Sequence, residues 1–148
     1  MENSKSKIIK EIAENLNCGF NSYYNSKTNE IVTIPNFSQI MNEEEFQEAF
    51  KADLEKVARN KFDYIKIEVL ENFESFKIME RFVEQIPDKQ FKTTLLNVLQ
   101  NKKPFQKFKH LIESSDYRKS WFDFKQNELE EIVEKELKRK KDWIPPKD

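Results

Sequence analysis

The sequence predicts an α+β fold, a small antiparallel sheet of about three strands with about six helices, the second half being all-helical. Three observations carry that prediction. Phe20–Tyr24 and Glu30–Ile34 are short segments rich in aromatic and β-branched residues, separated by the turn-forming cluster Asn25-Ser26-Lys27-Thr28-Asn29. Tyr64–Val69 alternates Ile65, Ile67 and Val69 against Lys66 and Glu68, as a half-buried third strand does. From Phe76 onward, apolar residues recur three and four positions apart, the period of a helix buried on one face. A chain of 148 residues fits one domain, 1–148, with a subdomain joint near 70–73 between the mixed first half and the helical second half.

In chain order, Ile8, Ile9, Ile12 and Leu16 form the stripe of a first helix, with Ser4 or Ser6 as its cap. Gly19 closes it, because glycine readily takes the left-handed conformation that ends helices. Pro35 lacks a ladder donor and ends the second strand. Asn42 and Glu45 have the spacing of a capping box, and Phe46, Phe50, Leu54 and Val57 form the stripe of the helix that follows. Phe76, Met79, Phe82, Val83 and Ile86 make the next buried face, stopped by Pro87. Asp88 caps a helix burying Phe91, Leu95, Val98 and Leu99. Pro104 suits the first position of a helix striped by Phe105, Phe108 and Ile112. Ser114-Ser115-Asp116 breaks the chain before a long helix from about Tyr117 to about Lys140, and Trp143–Pro146 forms a non-helical tail.

Composition narrows the function classes. Charged residues make up 36% of the chain but leave a net charge of only −1, which argues against nucleic-acid binding by bulk electrostatics. The 13 Phe, 4 Tyr and 2 Trp supply core surface that a disordered chain lacks. Cys18 is the sole cysteine, so no internal disulfide forms, as suits a reducing compartment. No apolar run approaches the roughly 20 residues of a membrane span, and no apolar core of a signal peptide follows Met1–Lys5, so the expected location is cytoplasmic. Gly19 is the sole glycine, which excludes phosphate-cradling and dinucleotide-binding loops, since these need several. No cofactor and no metal site are expected; one His and one Cys do not assemble a zinc centre.

Pro104-Phe105-Gln106-Lys107-Phe108-Lys109, followed by Arg118-Lys119-Ser120-Trp121-Phe122-Asp123-Phe124, resembles a bacterial group, Uncharacterised Protein Family 0158. The resemblance extends through Phe76–Phe82 and the hairpin Tyr23–Glu30, and covers most of the chain. Members commonly carry a Thr-Gly-Glu turn where this chain has Thr28-Asn29-Glu30, and asparagine also tolerates the left-handed conformation. The resemblance sharpens the fold and leaves the activity open.

Helical periodicity places Tyr117, Trp121, Phe122, Phe124, Leu129, Ile132 and Val133 on one broad arc of the last helix, with Arg118 and Lys125 inside it. Lys109 falls on the stripe of the preceding helix. Three cations are thus expected to face apolar surroundings, where an isolated charge costs several kcal/mol to desolvate. Either Glu128, Glu136 or an acid of the first half pairs with them, or Lys109, Arg118 and Lys125 with Trp121 line a basic, aromatic-rimmed site for an anion or acidic peptide. A second candidate is the basic run Lys138, Arg139, Lys140 and Lys141 with Trp143, suited to phosphates and base stacking, or simply complementing the helix dipole. His110, opposite its helix's stripe, and Cys18, without a histidine nearby, read as surface residues. The glutamates read as solvated helix faces, with Glu131–Lys135 and Glu134–Lys138 as i,i+4 pairs. The expected function is a non-enzymatic binding or regulatory module recognising a protein partner through the aromatic and basic C-terminal helices. The alternatives are an enzyme using converging carboxylates and a nucleic-acid binder acting through the basic run.

Overall fold

The computed structural model describes residues 4–36 and 43–140. Within it the fold is α+β, with seven helices among the described residues and one three-stranded antiparallel sheet. The chain gathers into two units, the first from residues 4–36, 43–69 and 129–140, the second from 70–128.

In the first unit, α1 (Ser4–Asn17) buries Ile9, Ile12, Ala13 and Leu16, close to the expected stripe. Gly19 follows with φ +86°, and its N–H donates to the Leu16 carbonyl over 3.1 Å. Strands β1 (Phe20–Asn25) and β2 (Glu30–Pro35) form a hairpin in register Phe20 with Pro35 and Asn25 with Glu30. The turn is an asparagine device. The Asn25 carboxamide oxygen accepts from the Lys27 and Thr28 amides, and the Asn29 amide donates to the Asn25 carbonyl over 2.7 Å. Asn29 itself has φ +62°, the left-handed conformation expected of it, and its side chain accepts from the Tyr24 hydroxyl at 2.7 Å.

Strand β3 (Tyr64–Ile67) pairs with β1, giving the order β2-β1-β3. It is shorter than the alternation to Val69 suggested. The Val69 amide donates instead to the Asn21 carboxamide oxygen at 2.9 Å, so a side chain ends the ladder. On the α1 side, Asn15 donates to the hydroxyls of Ser22 (3.2 Å) and Thr33 (3.1 Å), tying the helix to both strands of the hairpin. The single helix expected after Asn42 is two, α2 (Glu43–Ala49) and α3 (Lys51–Arg59), broken where Phe50 leaves the helical region at φ −106°, ψ 15°. Phe50, Leu54 and Val57 are half-buried rather than core. The expected cap Asn42 and the side chain of Phe46 lie outside the described residues.

The second unit is helical. Helix α4 (Asn72–Glu84) opens with a capping box between Glu71 and Glu74 and buries Ile78, Met79, Phe82 and Val83. Asp88 caps α5 (Lys89–Leu99) as expected, accepting from the amides of Gln90 and Phe91 at 3.0 and 3.1 Å. Leu95 and Leu99 are buried, and Phe91 and Val98 half-buried. Pro104 starts α6 (Pro104–Glu113), preceded by Lys103 with φ +55°. Rings close the unit's core. Phe82 meets Trp121 at 5.3 Å and Phe124 at 5.4 Å, Trp121 meets Phe108 edge-on at 5.0 Å, and Phe91 stacks on Tyr117 at 5.5 Å. Helix α7 (Arg118–Arg139) contributes its first part to this unit and the part from Leu129 onward to the first unit.

Candidate functional site

The segment from Pro104 to Phe124 divides by exposure. Phe108 and Trp121 are buried, whereas Phe105 and Phe122 are 39% and 41% exposed. The broad apolar arc expected of α7 is instead a narrow stripe, Trp121, Leu129, Val133 and Leu137, spaced by four and eight residues. Phe122 lies about 100° from Trp121 and so turns outward.

The three cations differ in exposure and in what they lie against. Lys109 is exposed and forms no ion pair among the described residues, because α6 buries the Phe108–Ile112 line and the next residue swings out to water. Arg118 is exposed at the start of α7, its guanidinium 5.1 Å from the centre of the Phe122 ring, one turn along. Lys125 is half-buried, its ammonium 6.0 Å from the Trp121 ring. Two of the carboxylates named as partners make bonds to other cations. Glu128 takes a two-point bond from Arg81 (3.2 and 2.9 Å), and Glu136 pairs with Arg139 at 3.3 Å. The clearest arrangement among them is an exposed cation–aromatic pair, Arg118 over Phe122.

In the basic run, Lys138 pairs with Glu134 at 2.9 Å, and this hydrogen bond holds the Glu134 carboxyl below the usual carboxylate range. Glu131 and Lys135 form no pair among the described residues. Lys138 and Arg139 each thus carry a glutamate partner, and Lys140 is exposed. Lys141 and Trp143 lie outside the described residues.

A charged corner occurs where β2 and β3 flank β1. Glu30 accepts from the Lys56 ammonium and from the Tyr64 hydroxyl, both at 2.6 Å. Those bonds, that of Lys56 first, hold the Glu30 carboxyl below its usual range and raise the Lys56 ammonium and the Tyr64 hydroxyl above theirs. Among the described residues no group of three or more His, Cys, Asp or Glu side chains is placed to hold a metal. Cys18 is exposed and free. No helix among the described residues is long and apolar enough to cross a membrane.

Three surface features escaped the periodicity. Phe62 is 92% exposed in the turn before β3, with the Lys61 ammonium 5.2 Å from its ring, and Phe73 is 62% exposed beside Lys77. Phe62 fits neither the α3 stripe nor the β3 alternation, and that misfit is its one signal in the sequence. The third is an open groove of about 450 Å³ between α5 and α6, lined by Val98, Gln106, Lys107, His110 and Leu111.

A small α+β protein with an exposed basic and aromatic face on its later helices is the class that this geometry defines. The family model of Uncharacterised Protein Family 0158 matches residues 6–144, and the chain belongs to that family. No curated protein and no solved structure matches the chain.

Proposed function

We propose that this protein is a non-enzymatic binding module that recognises a protein partner through the basic and aromatic face of α6 and α7. The observation that carries the reading is the Arg118–Phe122 pair, one turn apart and exposed, with no carboxylate bound to the guanidinium among the described residues. Arginine and aromatic side chains dominate the energetics of protein interfaces, and an exposed stacked pair presents both at low entropic cost. The reading places the protein in a bacterial cytoplasm, which its one exposed thiol and lack of disulfides suit. The rival phosphate-binding reading of Lys138 and Arg139 is weakened by their glutamate partners, and the displaced carboxylates, Glu30 and Glu134, are displaced downward, away from a neutral-pH general acid.

Photo-crosslinking in native cells tests this, with benzoylphenylalanine replacing Phe122. The expected result is one protein recovered reproducibly and lost in Arg118→Ala. Crosslinks only to nucleic acid, or no reproducible partner, would overturn the reading.

A further inference from the structure

We infer that the groove between α5 and α6 is a docking surface for an acidic amphipathic helix of a partner protein, an inference that rests on the protein-binding reading and gives the partner a chemistry. Residues 89–112, which take in α5 and all of α6 except its last residue Glu113, contain no Asp or Glu, and they carry Lys89, Lys92, Lys102, Lys103, Lys107 and Lys109. Elsewhere acids and bases are interleaved, and the chain's net charge is −1, so this stretch is a local field of one sign on a protein that is otherwise net acidic. None of the six lysines pairs with a carboxylate among the described residues; Lys92 donates only to the Glu84 backbone carbonyl, at 3.3 Å.

The groove adds the apolar half of the recognition. Val98 of α5 and Leu111 of α6 supply aliphatic surface, and Gln106, Lys107 and His110 line the rest of about 450 Å³. Lys103 stands just before α6 in a left-handed conformation, and its carbonyl accepts from the Lys107 amide at 3.3 Å, so two lysines mark the first turn of the helix. A ligand matching both features offers aliphatic side chains one turn apart to the groove and carboxylates beside them to the lysines, which describes an amphipathic helix with acidic flanks. A nucleic-acid backbone would satisfy the lysines and leave the Val98 and Leu111 surface facing water, so the apolar lining decides for the peptide.

The test titrates the full chain with a synthetic helix carrying leucines one turn apart and glutamates on both flanks, read by fluorescence anisotropy. A peptide with Gln for every Glu and a DNA duplex serve as comparators, and sedimentation velocity reports self-association. Binding of the acidic peptide is expected, weakening as ionic strength rises. It should weaken by about tenfold or more for the Gln peptide and for Lys107→Glu, an exposed substitution whose fold a thermal melt verifies. Leu111→Gln should weaken both peptides, and Arg118→Ala should change affinity by less than about twofold, since Arg118 does not line the groove. Absence of peptide binding, or binding indifferent to Lys107→Glu and Leu111→Gln, would sink the groove while a Phe122 crosslink to a protein still upheld the wider reading. Duplex DNA or a second copy of the chain binding in place of the peptide, with the same dependence on Lys107, would also overturn it.

Discussion

The two units hold themselves together by different chemistry. In the sheet-bearing unit, beside the bonds of Glu30 to Lys56 and Tyr64, asparagine carboxamides supply ties outside the apolar core. Asn15 reaches Ser22 and Thr33, Asn21 ends the β3 ladder at Val69, and Asn25 with Asn29 shapes the hairpin turn. In the helical unit, beside the Arg81–Glu128 bond, the ties are ring contacts that converge on Phe82 and Trp121. Carboxamides are directional and fix register at the cost of demanding a partner, whereas tilted rings contribute area and tolerate small shifts. A sheet, where a slip by one residue inverts every side chain, gains most from the first; helices packing by stripes gain from the second.

Substitutions set the contrast to the test. Trp121→Ala should have the largest effect, a loss of about 3–5 kcal/mol by denaturant unfolding, because a ring touching Phe82 and Phe108 leaves a cavity. Segment-resolved hydrogen exchange should show protection lost first in 70–128; an equal loss in 4–36 would mean that the units unfold together, and the contrast would not hold. Asn15→Ala should cost about 1–3 kcal/mol, since the fully buried Ser22 hydroxyl loses its partner. Asn29 sharpens the point further. Alanine at a left-handed position costs about 1–2 kcal/mol, whereas Asn29→Gly gives up only the Tyr24 bond, so alanine should melt lower than glycine. Arg118→Ala should move stability by less than about 0.5 kcal/mol, since its side chain is exposed and lies only over Phe122.

The smallest effect is one of pH. The Glu30 carboxyl is held below its usual range, so its bonds to Lys56 and Tyr64 contribute stability above the ordinary carboxylate pKa. That contribution is lost as pH falls through the depressed value in the folded chain. Because the corner is exposed, the acid-side fall in melting temperature should be smaller in Glu30→Gln by an amount below any core effect above.

The same contrast explains what was legible beforehand. The Asp88 cap, Pro104 and the left-handed Asn29 are local decisions and stand in the structure, as does most of the α1 stripe, whereas the stripes expected after Asn42 and along α7 are less buried than their periodicity suggested. The family, too, was legible as a resemblance carried by Pro104–Lys109 and Arg118–Phe124. The carboxamide ties were not. Asn21 meets Val69 across 48 positions, and nothing local marks which asparagine will do so. Periodicity also gives the angle of Lys109 or Phe122 around its helix but not where the covered stripe ends. Both lie just beyond that edge, so the Lys109 cation and the Phe122 ring, expected against apolar surroundings, emerge on the surface.

The division of α7 has a consequence for synthesis. Domains tend to fold in the order in which they leave the ribosome. Here the first unit's helix and strands emerge early, but its last piece, carrying the buried Leu129, Val133 and Leu137, emerges only after all of 70–128. The helical unit is therefore complete in the nascent chain while the first unit still lacks its last helical piece, and the unit begun first is the last to close.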